Sequence, residues 1–256
     1  MTISTEHDVF AKRLAQARSG AGLLDAAATV QPRDEDEAFA IQHATLDGAL
    51  IGGWKIGAKT ATERPTGSPL PASGIHRNGV TLARDAYWPC GLELEVAFRF
   101  GRVFAPQSAG YDDDEVFAGV EQMCATIEIV SSRFAAWPGV ERLTGLADLQ
   151  NHGALVVGEA SPYRVDFPFL SPKMRFLLDD HDILAETVGG KPANSVGDPR
   201  RALPWFVDHC TRHLGIPVTP DMVVTAGSYT GLFLPKTAGS VRGEIDGLAP
   251  VTFELV

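Results

Sequence analysis

The sequence predicts an α+β fold in which two helices come first and a β-sheet forms mostly after them. Three observations support this fold class: helical periodicity in the first 50 residues, apolar and polar alternation at residues 92–100, and several short apolar runs in the second half. No repeat or linker interrupts the 256 residues. We therefore expect a single domain over residues 1–256, with residues 1–50 as an N-terminal helical segment.

Four segments have the pattern of a helix. Apolar residues recur on one side of residues 5–20, and a glycine ends that segment. Acidic residues crowd the starts of residues 34–50 and 112–124, where the helix dipole favours negative charge. Residues 198–214 begin at a capping aspartate and stop before a glycine, so they predict a fourth helix. Pro204 is expected to kink this helix or to mark its true start.

The strand pattern is clearest at residues 92–100, where the strict alternation predicts a half-buried strand. A β-branched run predicts another strand at residues 125–130. Glycines and prolines multiply between residues 51 and 81, which indicates short strands and a functional loop. Four further strands are predicted at residues 154–157, 174–178, 222–226 and 251–255.

Composition narrows the class of protein. The net charge of −10 argues against nucleic-acid binding, which calls for a basic surface. No apolar run is long enough for a membrane span, and the first ten residues lack an apolar signal core, so we expect a cytoplasmic protein that does not bind membranes. The three cysteines lie far apart and are expected to be reduced and partly buried.

Three glutamates are the first candidates for chemistry. Glu93 and Glu95 share one face of a strand, roughly 7 Å apart. They either bind one cation together or belong to the solvent-exposed face of an amphipathic strand. Glu128 lies in a run typical of a buried strand, where a carboxylate needs a partner. That partner is either Arg133, in a structural ion pair, or a bound ligand. Three carboxylates without a cysteine or histidine cluster favour Mg²⁺ or Mn²⁺ over zinc.

Several blocks of the sequence resemble the 2-keto-4-pentenoate hydratase and 4-oxalocrotonate decarboxylase branch of the fumarylacetoacetate hydrolase superfamily. The likeness covers nearly the whole chain and keeps the blocks in order. The blocks are AIQ at residues 40–42, GWKIG at 53–57, LELEVAF at 92–98, IEIVSSR at 127–133, LAD at 146–148, GALVVG at 153–158 and AGSYTG at 226–231.

The resemblance implies a mixed β-sheet roll or sandwich preceded by the helical segment. It also implies that Glu93, Glu95 and Glu128 bind Mg²⁺ or Mn²⁺, and that Lys55 lies next to the substrate. A cation there would stabilise the enolate of a small 2-oxo acid. The family further suggests a homo-oligomer, or a hetero-complex with a pathway enzyme.

Three more residues match positions of the family's site, and each also has a structural interpretation. Asp148 matches an acid near the family's site, but it could equally cap the turn before the strand at 154–157. Ser228 and Thr230, between glycines, would present hydroxyl or backbone N–H groups to a substrate carboxylate, or simply close a tight turn.

The sequence departs from the hydratases in two loops. Ser73 stands where an aspartate for proton transfer is expected, and His76 is a candidate substitute base, although a surface histidine is the alternative. His152 lies in an altered turn, as a substrate contact or a simple loop residue. These departures put the hydration step in question more than the metal site.

The sequence therefore predicts a metal-dependent lyase acting on a small 2-oxo or 2-hydroxydienoic acid, most readily a hydratase. The first alternative is a decarboxylase of a 2-oxo diacid, which needs no base to activate water. A C–C hydrolase and a non-catalytic partner subunit of a paired enzyme are further alternatives.

Overall fold

Two β-sheets packed face to face form the body of the structure, a computed structural model that describes residues 3–256. Within these residues there are six α-helices, α1 to α6 in chain order: Thr5–Arg18, Glu35–Leu46, Asp113–Ala118, Arg142–Ala147, Leu184–Val188 and Ala202–Asp208. The same residues form thirteen strands, β1 to β13: Ile51–Gly57, Thr66–Pro71, Ile75–Arg77, Val80–Leu82, Gly91–Phe100, Val120–Val130, His152–Val157, Ser161–Pro162, Met174–Leu178, His181–Asp182, Val223–Ser228, Gly239–Ile245 and Val251–Leu255.

The larger sheet has the order β2-β1-β11-β5-β6-β7-β3, with β8 added beside β6. The smaller sheet has the order β10-β9-β12-β13-β4. In the larger sheet β1 runs parallel to β11, whereas β5, β6 and β7 pair antiparallel. The α+β class and the mixed-sheet architecture predicted from the sequence are both confirmed.

The main apolar core lies between the two sheets. Leu94 and Ile127 face it from the larger sheet, and Gly243 approaches them from β12. A Cβ atom on Gly243 would lie 2.4 Å from Leu94 Cδ1, so only glycine permits this approach of the sheets. Because side chains alternate along a strand, the neighbouring Glu93 and Glu95 face away from this core.

The N-terminal helices form a second, smaller core. Phe10 and Leu14 of α1 pack with Phe39 of α2, and Leu146 of α4 completes the cluster. Asp34 caps α2 by accepting a hydrogen bond from the backbone of Glu37. Helices are thus confirmed where residues 5–20 and 34–50 predicted them, although both end earlier than expected.

Three predictions about elements need correction. The helix expected at residues 112–124 ends at Ala118, and its last part belongs to β6 instead, where Val120–Val130 pairs with β5 along almost its whole length. Strand β5 is not half-buried, because both of its faces are largely covered. The helix expected at residues 198–214 starts regularly only at Ala202, close to Pro204, and finishes in a π-helical turn, His209–Leu214.

The three cysteines, Cys90, Cys124 and Cys210, are all buried and free, and burial raises the pKa of each thiol. The thiols are more deeply buried than the partial burial expected from the sequence. No helix within residues 3–256 is both long enough and apolar enough to cross a membrane.

Candidate metal centre

Three carboxylates meet on the face of the larger sheet that points away from the main core. Glu93 on β5 lies directly opposite Glu128 on β6, and Glu95 follows two residues further along β5. One oxygen from each side chain lies within 4.8 Å of the other two. Glu95 and Glu128 are buried, and Glu93 is half-buried. The strand register therefore brings together the three glutamates that the alternation and the buried strand singled out.

Lys55 reaches this cluster from β1, two strands away from β5. Its Nζ donates to Glu128 Oε1 at 2.7 Å and to the backbone carbonyl of Gln150 at 3.1 Å. Burial alone would lower the pKa of Lys55, but the charges of Glu128, Glu93 and Glu95 raise it above its ordinary value. Lys55 is therefore a charged ammonium that holds its proton.

The carboxylates differ in their affinity for protons. Burial, reinforced by the charge of Glu128, raises the pKa of Glu93 to about 7 and raises the pKa of Glu95 well above its usual range. Burial acts in the same direction on Glu128, but Lys55 and a hydrogen bond with His152 outweigh it and lower the pKa of that carboxyl. Glu128 is the anionic anchor of the cluster, and the other two carboxylates lack cationic compensation of their own.

The donor set fits a hard divalent cation. Among residues 3–256, Glu128 Oε2 is buried and has no hydrogen-bond partner, which is costly for an ionised carboxylate unless a ligand binds it. All three side chains offer oxygen, the donor that Mg²⁺ and Mn²⁺ prefer. Glu93, Glu95 and Glu128 are accordingly the residues that would hold such an ion.

Two residues of β11 adjoin the β5 carboxylates. Thr225 donates to Glu95 Oε2, and Ser228 pairs with Glu95 in the strand register and lines the same cavity as Glu93. Between them β11 shifts register at a bulge, and Gly227 takes a φ of 73° that favours glycine. Asn194 secures this bulge by donating to the carbonyl of Gly227 at 2.7 Å. Thr225 is a site residue that sequence reasoning missed, although a threonine inside a buried strand was a visible signal.

The cluster opens into a cavity of about 360 Å³. Lys55, Glu93, Glu95 and Ser228 provide its polar wall, and Val188 adds an apolar one. A larger cleft of about 890 Å³ adjoins it, and the two share the lining residues Gly57, Gln150 and Ser195. The cavity could therefore hold the carboxylate end of a substrate whose longer chain extends into the cleft.

A turn with unusual backbone geometry presents the carbonyl that Lys55 contacts. Leu149, Gln150 and Asn151 have consecutive φ values of 49°, 51° and 57°, in the left-handed region. This conformation is unfavourable for non-glycine residues and is found disproportionately at functional sites. Nothing in the residue types of this segment predicted it, because Leu149 and Gln150 rarely adopt such angles.

Two predicted site residues have mainly structural contacts. Asp148 is fully buried and pairs with Arg133, whose Nε lies 2.6 Å from Asp148 Oδ1. Arg133 is therefore the partner of Asp148 and not of Glu128, and the expectation of a catalytic Asp148 finds no support in these contacts. Thr230 is also fully buried, and its Oγ1 accepts from the backbone N–H of Leu94, which ties β11 to β5.

The remaining predicted residues, Ser73, His76 and His152, lie at different distances from the three carboxylates. Ser73 is exposed on a 3₁₀ turn, and His76 is half-buried on the edge strand β3, where burial lowers its pKa. Neither Ser73 nor His76 is among the described residues that line the cavity. His152 is fully buried, and its Nδ1 lies 3.1 Å from Glu128 Oε1. It contacts a carboxylate of the cluster and does not line the cavity, contrary to its predicted role as a substrate contact.

Comparison of the sequence with curated proteins identifies relatives of one kind. The chain is 26% identical over 254 residues to a 2-keto-4-pentenoate hydratase of Burkholderia vietnamiensis, with 94% of each chain covered. It is 25% identical to the enzyme of the same name from Paraburkholderia phymatum, again with 94% of each chain covered. None of the family models searched matches the chain.

Solved structures with the same fold include a 4-oxalocrotonate decarboxylase from Pseudomonas putida G7 in complex with magnesium and adipate. It has a TM-score of 0.80 and 12% identity and covers 100% of this chain and 99% of its own. A fumarylpyruvate hydrolase from Pseudomonas aeruginosa, in complex with Mn²⁺ and pyruvate, has a TM-score of 0.54 and 14% identity and covers 81% and 90% of the two chains. With the sequence relatives, these structures confirm the resemblance seen in the ordered blocks: the chain is similar in sequence to 2-keto-4-pentenoate hydratases along nearly its whole length, and it has the fold of 4-oxalocrotonate decarboxylase and fumarylpyruvate hydrolase.

Proposed function

We propose that this protein is a divalent-metal-dependent lyase that acts on a small 2-oxo or 2-hydroxydienoic acid, as a hydratase of the 2-keto-4-pentenoate type. The observation that carries the proposal is the meeting of three carboxylates within 4.8 Å of one another, beside Lys55, at the wall of a cavity. The names of the curated relatives support the choice of reaction. The metal complexes of the structural neighbours support a divalent ion.

Glu93, Glu95 and Glu128 would hold Mg²⁺ or Mn²⁺. An ion bound there supplies Lewis-acid stabilisation to the negative charge that develops on the C2 oxygen of a 2-oxo acid. The cavity of about 360 Å³ lies within the range of small-molecule sites and suits an acid of this size.

Lys55 contributes both charge and a proton. Two of its three N–H directions are used by Glu128 and by the carbonyl of Gln150, and the side chain also lines the cavity. Its pKa is raised by the charges of the glutamates, so Lys55 would meet the substrate protonated; a cation that offsets those charges would remove the cause of the raise and allow the ammonium to act as a general acid. Ser228 and Gly227 also line the cavity, and the Ser228 hydroxyl and the Gly227 backbone would orient the substrate carboxylate by hydrogen bonds.

The direct test is an assay of the purified protein with 2-hydroxypenta-2,4-dienoate. We expect turnover in Mg²⁺ or Mn²⁺, loss of turnover in EDTA, and recovery when the metal is returned. Arg99→Gln on the same strand as the glutamates is a matched control, since Arg99 bonds the carbonyl of Asp221 and is not part of the cluster. Turnover that persists in EDTA, or metal binding without turnover of any 2-oxo acid offered, contradicts the proposal.

The second candidate is decarboxylation of a 2-oxo diacid, and two observations favour it. Ser73 and His76 do not line the cavity, so hydration lacks the expected base, whereas decarboxylation needs only charge stabilisation and a proton donor. In addition, Arg64 and Arg142 line the adjoining cleft, so two guanidinium groups are available to a second carboxylate, although the cleft as a whole has three basic and three acidic side chains and no net charge.

A comparison of substrates separates the two reactions. Decarboxylation predicts turnover of 4-oxalocrotonate with CO₂ release, and Arg142→Ala should then raise KM for the diacid without changing KM for the five-carbon monoacid. If the monoacid is hydrated and the diacid is not consumed, the hydratase assignment stands and the decarboxylase assignment is wrong.

A further inference from the structure

His152 is a buried histidine that touches the candidate metal centre from outside the cavity. It is fully buried, and its Nδ1 lies 3.1 Å from Glu128 Oε1. Within residues 3–256 its Nε2 has no hydrogen-bond partner, and it lies on the side of Gly74, where an added Cβ would be 3.5 Å away. The ring therefore has one polar contact, and that contact is to a carboxylate of the cluster.

The two oxygens of Glu128 have unequal surroundings. Oε1 takes the Lys55 ammonium at 2.7 Å and the His152 ring at 3.1 Å, whereas Oε2 has no partner within the described chain. A carboxylate that is held at one oxygen by donors from two directions cannot rotate freely about its last bond. The other oxygen is then fixed in direction, and it is the one left for a cation.

The contact also fixes the tautomer of the ring. A carboxylate oxygen can only accept, so Nδ1 must carry the hydrogen of a neutral imidazole and Nε2 must be unprotonated. This arrangement matches the general use of a second residue to orient a metal-binding group from behind.

The backbone around His152 is held by several independent features. The left-handed turn Leu149–Asn151 immediately precedes it, and β6 and β7 shift register where Val130 pairs with His152. From helix α1, Arg18 Nη1 donates to the carbonyl of His152 at 2.9 Å. The position of the ring is therefore set from the N-terminal helices as well as from the sheet.

We propose that His152 is a positioning residue that acts through Glu128: its Nδ1–H holds Oε1, so that Oε2 is fixed for binding a divalent cation. The inference rests on the proposed function only for the identity of the site as a metal centre. It assigns His152 to the support of a ligand and not to contact with the substrate.

The test compares two substitutions by Mn²⁺ titration of the purified protein. His152→Asn keeps an N–H near the position of Nδ1, and His152→Leu removes the donor while it fills similar space. We expect His152→Leu to weaken Mn²⁺ binding by about 10–100-fold, the range for loss of such supporting residues. His152→Asn should bind nearly as well as the wild type, and His76→Leu, at a histidine outside the cavity, should not differ from it.

Equal weakening by the two variants would show that the volume of the ring matters and its donor does not, which overturns the proposal. Unchanged binding by His152→Leu overturns it as well. Nitrogen-15 NMR of the metal-free wild type gives a readout that needs neither variant nor activity: we expect the hydrogen on Nδ1, and a hydrogen on Nε2 contradicts the mechanism. Wild-type protein that binds Mn²⁺ but turns over no 2-oxo acid would refute the proposed reaction and leave the role of His152 intact.

Discussion

Glu128 and its neighbours have an imbalance of charge that a divalent ion would correct. When all three carboxylates are ionised, Lys55 is the one cation in direct contact with them among the described residues, and two negative charges remain uncompensated. Burial makes this excess costly, and it is the reason that Glu93 and Glu95 have raised pKa values. A cation of charge +2 matches the excess, so charge and geometry favour the same occupant.

Glu95→Gln tests the most deeply buried of the β5 ligands. The amide has the shape of the carboxylate but lacks its charge, so we expect metal-dependent activity to disappear and the loss in Mn²⁺ affinity to equal or exceed about 10–100-fold. The circular dichroism spectrum should be nearly unchanged, because Thr225 can still donate to the amide oxygen. Full activity in this variant would remove Glu95 from the centre.

Lys55→Met separates catalysis from metal binding. Methionine fills the space but provides neither charge nor proton, and we expect kcat to fall by about 100-fold or more. Metal affinity should change much less, because Lys55 helps to hold Glu128 Oε1 but also competes with a cation for the charge of Glu128, so that its removal has opposing effects on metal binding. Isothermal titration and steady-state kinetics on the same preparation measure both, and equal losses would indicate a structural role for Lys55.

The sequence predicted the three glutamates and singled out Lys55 and His152, but it did not predict the contacts by which these residues support the cluster. Glu93 and Glu95 follow from the alternation along one strand, and Glu128 stands out as an acid in an apolar run. By contrast, the contacts of His152 and Asp148 depend on which loops meet in space. Asp148 pairs with Arg133, 15 positions away, and His152 follows a turn whose left-handed φ angles are not predicted by its residue types.

The Arg133–Asp148 pair joins the end of β6 to the end of α4. Asp148 accepts from the backbone N–H of Arg133 at 2.9 Å as well as from its guanidinium, and both side chains are buried. Removal of one member of a buried ion pair leaves an uncompensated charge.

Asp148→Ala should therefore destabilise the fold by about 3–5 kcal/mol, measured as the free energy of unfolding in urea. Asp208→Ala is a suitable control, because Asp208 pairs with Arg212 at the surface and its loss should cost less than about 1 kcal/mol. Equal costs for the two variants would show that burial of the Arg133–Asp148 pair adds nothing.

Elements with strong periodicity were predicted well, and those that depend on partners were not. The strands Met174–Leu178 and Val251–Leu255 have the predicted bounds. Strand β12, Gly239–Ile245, was missed because its glycines and charged residues are poor strand formers, and it exists through pairing with β9 and β13 on its two sides. Residues 120–124 were assigned to a helix for the converse reason: their place in the sheet comes from β5.

The acidity of the centre couples the stability of the whole molecule to pH and to metal. In the metal-free fold Glu93 has a pKa of about 7 against 4.5 in an ordinary carboxyl, and that of Glu95 is raised as well. Between pH 4.5 and about pH 7 the folded state retains a proton on Glu93 that the unfolded chain releases. The stability of the metal-free protein should therefore fall as the pH rises through this range. A divalent cation must displace the same protons, so its affinity should increase over this range.

Thermal unfolding in EDTA and in Mn²⁺, across pH 5.5 to 8.5, measures both effects. We expect the midpoint in EDTA to decline through about pH 7 and the gain from Mn²⁺ to grow as pH rises. Glu93→Gln should flatten the decline in EDTA. A gain from Mn²⁺ that is the same at every pH would contradict the coupling.

The direct pairing of β5 with β6 has a consequence for how proteins of this architecture change their reactions. The three carboxylates come from one antiparallel pair, whereas the other residues that line the cavity come from elsewhere: β1, the β11 bulge, the turn Leu149–Asn151 and the segment that carries Val188 and Ala193. Replacement of these other lining residues can therefore alter which substrate binds without disturbing the three carboxylates. A change of substrate therefore does not require a change in the three glutamates.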